Sequence, residues 1–362
     1  MALSKIPSAG FQDNVKFRNI IINGDMSIAQ RGTSATGITG SATYNTCDRW
    51  ITSVLSLGTW TNTQSTDVPS GQGFSKSFKM DCTTADASPS AGDYCMIQQR
   101  FEGQNLQYLK KGTSSAEQVT LSFWVKSNKT GTYVAQLEDT DNNRSTSKSY
   151  TINSSNTWEK KTITYDADTT GAFDNDNGLS LVIEFWLGAG STYTSGTLAT
   201  SWESTTPANR AVGQVNLADS TSNEWLITGV QLEAGETASD FEFLPHDVNQ
   251  QRCFRYYYKI NADVAYQKYA HGFATSTTQQ YMFCNFPVEM RAAPSTLDLS
   301  ATNLYTIWDG VGSRTVSSIS YDASGKFFTS LTVVGSGYTD TQSGILQSAG
   351  NTSSYMGWGA EL

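Results

Sequence analysis

The sequence predicts an all-β protein: a jelly-roll β-sandwich, a second and smaller C-terminal β domain, and a short extended tail at the N-terminus. Three observations carry that expectation. Only 16% of the residues are charged while 12% are aromatic, against a usual charged share of ~25%, and Ser, Thr and Asn occur throughout, a usage that suits strands and turns. Short runs of β-branched and aromatic residues recur, cut by Gly, Asn, Ser and Asp clusters. No convincing amphipathic helix lies between these runs, which disfavours a parallel α/β arrangement.

Taken in order, residues 1–17 are polar, carry Pro7 and Gly10, and read as an extended tail that orders on a partner. Residues 18–247 form the predicted jelly roll. Its clearest strand is Val119–Lys126, where Val119, Leu121, Phe123 and Val125 share one face and Thr120, Ser122, Trp124 and Lys126 the other. Leu179–Leu187 alternates in the same way, with Leu181, Ile183 and Phe185 opposite Glu184 and Trp186. Further strands are expected at Phe74–Cys82, Tyr94–Phe101, Thr132–Glu138, Lys148–Asn153, Trp158–Tyr165 and Glu224–Glu233, separated by turn-forming stretches such as Asp139–Asn143 and Asp174–Gly178. Eight or more antiparallel strands imply two packed sheets. Thr83–Gly92 and Gly188–Gln214 are then loops at the sandwich ends, where binding sites tend to sit.

Residues 248–258 read as a linker, one or two helical turns passing into a strand. Their basic and aromatic cluster, Arg252, Phe254, Arg255, Tyr256 and Tyr257, suits a joint between domains or subunits, because interfaces favour Arg and aromatic side chains. Residues 259–362 form the second β domain, with strands expected at Gln280–Asn285, Ser295–Asp298, Thr315–Tyr321, Phe327–Val334 and Tyr355–Leu362.

Charge and cysteine content exclude several function classes. A net charge of −9 argues against nucleic acid as a partner, since neutralising phosphates requires clustered Lys and Arg. No apolar run is long enough to insert in a membrane and the N-terminus lacks a signal-peptide core, so a cytoplasmic product is expected. The five cysteines, an odd number without a C-x-x-C pair, read as buried thiols.

The chemistry available narrows the function further. The two histidines, His246 and His271, lie near no nucleophile signal, so an enzyme is not expected. Asp139, Asp141, Asp174 and Asp176 supply hard oxygen ligands of the kind a structural calcium takes, although such Asx-rich turns are commonly just solvated. No other cofactor is implied. Saccharide binding needs flat aromatic platforms with polar groups beside them. The candidates are Trp60, Trp124, Glu184, Trp186 and Trp202, with Tyr44 and Tyr193, in the first domain, and Tyr305, Trp308, Tyr338 and Trp358 in the second. Any one of these aromatics is more often packed under a loop or against a neighbouring subunit than in contact with a ligand.

Three groups of stretches resemble a known family. Asn19–Met26 followed by Ala29–Gly32 resembles the opening of phage virion proteins of the tail-fibre, collar or minor-tail type with a carbohydrate-binding-like jelly roll. Gly229–Gly235, Phe241–Pro245 and Cys253–Tyr257 are similar to the end of that module, and Phe286–Pro294 with Ala360–Leu362 to the C-terminal region of the same proteins. The resemblance implies a homotrimeric appendage on the virion, docked on other virion proteins through the N-terminal tail and adsorbing to host cell-surface glycans by multivalent, non-covalent binding. A head fibre, decoration or adaptor protein and a glycan-cleaving tailspike are the alternatives.

Overall fold

The computed structural model describes residues 17–40 and 42–362, and over them the protein is almost entirely antiparallel β structure. The expected tail, residues 1–17, lies outside the described residues except for Phe17. The chain folds as two compact units. The first comprises the residues up to Asp25, 36–42 and Thr52–Leu244, and the second Met26–Ala35, Thr43–Ile51 and Pro245–Leu362.

The first unit is the sandwich. Its strands are β1 (Ser34–Ile38), β3 (Ile51–Leu55), β4 (Thr59–Ser65), β5 (Ser77–Thr84), β6 (Tyr94–Glu102), β7 (Val119–Ser127), β8 (Gly131–Asp139), β9 (Arg144–Ile152), β10 (Glu159–Tyr165), β11 (Leu179–Ala189), β12 (Glu203–Ser204) and β13 (Glu224–Ala234), with β2 (Thr43–Tyr44) belonging to the second unit. One sheet runs β1-β4-β5-β13-β7-β10. In the other, β12-β9-β8-β11-β6-β3 lie side by side.

Alternation along the strands explains why the sheets face each other. Leu121, Phe123 and Val125 of β7 and Ile183 and Phe185 of β11 are fully buried, and the Phe123 ring meets both Phe185 and Tyr150 edge-on at 5.1 Å. Such aromatic pairs contribute about 0.5–1.5 kcal/mol beyond their burial. The hairpin joining β8 and β9 turns through Asn143, which holds a φ of 52°. Asn adopts that left-handed conformation more readily than most residues.

Two of the family-like stretches clamp this unit together. Asn19, buried, takes hydrogen bonds on its side-chain oxygen from the Ile21 and Leu232 amides and donates to the Val230 carbonyl. Gly24 has to be glycine, because a Cβ there would sit 2.1 Å from the Val230 carbonyl oxygen. Asn19–Asp25 and Gly229–Gly235 thus match each other as a structural joint.

The second unit holds α2 (His246–Phe254), a small sheet ordered β14 (Tyr257–Asn261), β22 (Tyr355–Gly359) and β17 (Thr296–Leu299), and a closed barrel. The barrel strands run β15 (Lys268–Ala274), β16 (Gln279–Asn285), β20 (Phe328–Ser336), β19 (Ser313–Ser324), β18 (Tyr305–Trp308) and β21 (Ser343–Ser348). Met282, Ile307, Leu331, Val333 and Leu346 fill the core, which continues to Met356 and Trp358.

The unit boundaries correct the sequence reading in one respect. Residues 248–258 are not a linker but α2 and the start of β14, inside the second unit, and 26–35 and 43–51 join them there. The reason is a polar core. Arg49 is 1% exposed, stacks 3.5 Å from the centroid of Tyr256 and pairs with Glu361. Arg31 lies 3.6 Å from the centroid of Tyr257 and also bonds Glu361. Arg291 donates to the carbonyls of Ala360 and Glu361. Four further family-like stretches, Ala29–Gly32, Cys253–Tyr257, Phe286–Pro294 and Ala360–Leu362, are therefore joined through these contacts, and Tyr256 and Tyr257 serve the fold of this unit. Phe254 packs on Tyr258 at 5.1 Å, Arg255 donates to the Glu289 carbonyl, and Arg252 sits half-buried in the last turn of α2.

Candidate saccharide-binding face

The expected calcium ligands do not converge. Asp139 is buried, but its partner is the ammonium of Lys111, which also reaches Asp168 at 3.0 Å and the carbonyls of Thr170 and Gly171 at 2.9 Å. A side-chain cation thus fills an oxygen-lined site at the end of the sandwich. Burial alone would raise Asp168, yet its bonds to Arg144 and Lys111 outweigh that and hold it below the usual carboxylate range. Asp141 accepts from the Asp174 amide, and Asp176 caps the turn at Gly178. Among the described residues no cluster of three or more His, Cys, Asp or Glu could hold a metal.

Several predicted aromatic platforms are likewise committed to the fold. Trp60 is fully buried and donates to the Leu57 carbonyl. Trp202, half-buried, donates to the Asp166 carbonyl and covers Lys111, whose Nζ lies 5.2 Å from its ring. Tyr305, Tyr338 and Trp358 are buried in the second unit, and Tyr44 lies under the Arg31 guanidinium. Trp308 is 39% exposed at the end of β18. Trp124 lies half-buried on the outer face of β7.

Glu184 and Trp186 have a different role from a bare platform. They do point away from the sandwich core, but both are buried, because Gly188–Gln214 folds back over this face instead of standing off as an end loop. Ala211 N–H bonds the Tyr193 carbonyl within that segment, and Tyr193 stands in the one-turn helix α1 (Ser191–Thr194). Trp186 donates to Gln136 at 3.1 Å, Tyr193 packs on it at 5.3 Å, and Tyr94 meets both rings.

Arg210, from the same segment, organises the polar part. Its Nη2 donates to Glu184 at 2.6 Å and Glu138 at 2.9 Å, its Nε to Gln136 at 3.1 Å, and its guanidinium lies over Trp186. Glu184 also accepts from Gln98. Register explains the grouping: Glu184 pairs with Gln136 on β8 and Gln98 on β6, with Glu138 two residues along β8. Burial, then the negative charge of Glu184, raises the Glu138 carboxyl above its ordinary value despite Arg210. The result is an open groove lined by Tyr94, Arg100, Gln98, Glu138, Glu184, Tyr193 and Arg210.

No family model and no curated protein matches the chain. Among solved structures it is similar, at 18% identity and a TM-score of 0.32, to the enzymatically active domain of tailspike protein 4 of bacteriophage CBA120, over 60% of this chain and 21% of that one. It is also similar to the family 11 carbohydrate-binding module of Clostridium thermocellum in complex with a mixed-linked tetrasaccharide (12% identity, TM-score 0.28, 57% of this chain and 98% of that one). A tandem carbohydrate-binding module from Paenibacillus barcinonensis overlaps 92% of this chain and 98% of its own, with 9% identity and a TM-score of 0.26.

Sequence alternation placed Glu184 and Trp186 on the correct side of the sheet but did not bring Arg210, Glu138 or Tyr94 to them. The one available signal was Arg210 itself, a lone cation in a long polar segment.

Proposed function

We propose that the first unit binds a saccharide in the Arg210 groove without cleaving it, as part of a virion appendage that adsorbs to bacterial surface glycans. The observation that carries the reading is the pre-ordered network of Arg210, Glu138, Glu184 and Gln98, which lines one groove together with Tyr94 and Tyr193. Carboxylates and a guanidinium already fixed in place hydrogen-bond sugar hydroxyls at little ordering cost, and phenol rings present flat apolar faces. The virion setting, homotrimeric assembly and attachment to other virion proteins are what the resemblance of the family-like stretches implies, and the reading takes them from there alone.

One observation favours a cleaving enzyme. Glu138 and Glu184 are neighbouring carboxylates, and the raised Glu138 has the character of a proton donor. Against it, Arg210 Nη2 bonds both, so a cation occupies the space where a glycosidic bond would have to lie. The test is to incubate the full chain with bacterial surface polysaccharides and follow both retention on the polymer and release of reducing ends. Retention without new reducing ends is expected. Release that disappears in Glu138→Gln would overturn the non-cleaving reading.

A further inference from the structure

The opposite sheet carries a second groove, on the outer face of β7, β10 and β13. Its floor is Trp124, paired across the strands with Lys160 on β10 and Thr228 on β13. A β-bulge after Thr228 lets Gly229 turn at a φ of +62°, and the Phe74 ring lies directly on that glycine. Phe74, Phe241 and Phe243 pack within 5.1 Å of one another and form one wall. The hollow holds about 320 Å³, within the range of sites that enclose small ligands.

Its polar groups differ from those of the Arg210 groove in one decisive respect. There, carboxylates and guanidinium satisfy each other. Here the side chains of Lys160, Gln72 and Asp240 are exposed, and they, the Ser122 hydroxyl and the Trp124 indole N–H make no bond to any described residue. A half-buried indole face ringed by an unpaired ammonium, amide, carboxylate and hydroxyl matches one ligand class well. A pyranose offers an apolar C–H face to stack on the indole and hydroxyls on its rim that both donate and accept. A purely apolar partner would leave these polar groups unpaired on burial, which is costly.

We infer that this Trp124 groove is a second saccharide site, independent of the first and on the other face of the same sandwich. For its ligand class the inference rests on the saccharide-binding reading above. Sites on opposite faces engage two separate glycan chains, so each copy of the protein bridges strands of a surface polysaccharide and gains avidity from weak individual contacts.

The test uses the full chain with its tryptophan indoles labelled with nitrogen-15, titrated with chitopentaose, cellopentaose and xylopentaose up to about 10 mM, the range in which single weak sites fill. Trp124 reports this groove, and Trp186, whose indole N–H bonds Gln136 beneath Arg210, reports the other. The Trp124 signal is assigned by its loss in Trp124→Phe. A saturable shift at Trp124 with at least one sugar is expected, weakened about tenfold in the Lys160→Ala/Asp240→Ala double variant, which keeps the reporter. Arg210→Ala should leave that titration unchanged. A shift at Trp186 alone overturns the second site and leaves the first standing. A shift at Trp124 alone supports the second site and removes the first, and silence at both with every sugar overturns both.

Discussion

Replacing Lys111 by methionine should unfold the first unit at a markedly lower temperature. The ammonium is 5% exposed, pairs with two carboxylates that are 0% and 4% exposed, and donates to two carbonyls. Methionine fills much of the volume but leaves Asp139 buried with only Asn142, through its backbone and side-chain N–H groups, among the donors seen here, while Asp168 keeps Arg144. Removing one partner of a buried ion pair typically costs about 3–5 kcal/mol. In a domain of this size each kcal/mol lowers the midpoint by roughly 2–4 °C, so the expected fall is about 6–20 °C. Scanning calorimetry of the full chain measures it. The double variant Lys111→Met/Asp139→Asn, which leaves the Arg144–Asp168 pair intact, should recover most of the loss, because a neutral replacement of both partners of a buried ion pair is often close to neutral. A fall under about 2 °C in the single variant, below the cost of one ordinary hydrogen bond, would show that the cluster contributes little.

Calcium chloride and chelator should each leave the wild-type midpoint unchanged, since the oxygen-lined site already holds Lys111; a chelator-dependent fall in calorimetry would contradict this. Asp48, buried in the second unit, is raised from 3.8 to about 6, by burial first and against the lowering effect of Gln30 and Arg31. Its neutral form is the one the fold prefers, so its contribution is fully present below about pH 3.8 and is lost as pH rises to about 6. Urea titrations should show a loss of up to about 3 kcal/mol across that window, with a flatter profile in Asp48→Asn. Gly229→Ala would place a Cβ 2.5 Å from the Phe74 ring at a left-handed backbone position. A cost of about 1–3 kcal/mol is expected in urea unfolding, with the Phe74 ring displaced in proton spectra.

The strand pattern was legible where one face meets an apolar core and the other meets water, as in β7 and β11. It failed for β3, where Ile51, Val54 and Leu55 do not alternate with Thr52 and Ser53, for β4, where Trp60 is the one large apolar residue among Thr, Asn, Gln and Ser, and for the short barrel strands β18 and β21. The partition into units was not legible, because Arg49 and Glu361 are 312 positions apart and joined by charge and stacking, which leave no local periodicity. The same holds at the site. Alternation shows that Glu184 and Trp186 leave the core face, but only the tertiary path of Gly188–Gln214 covers them and delivers Arg210. The candidate calcium ligand Asp139 was read from hard oxygen donors without any means of seeing that a lysine from a distant loop supplies the cation.

Saccharide binding in the Arg210 groove is measured on an array of bacterial surface glycans probed with the labelled full chain and with Tyr193→Ala and Arg100→Ala, each checked for an unchanged circular dichroism spectrum. Binding to a restricted set of glycans is expected, reduced about tenfold or more in both variants. Binding that both variants retain in full, or no glycan bound by the wild type, would contradict it.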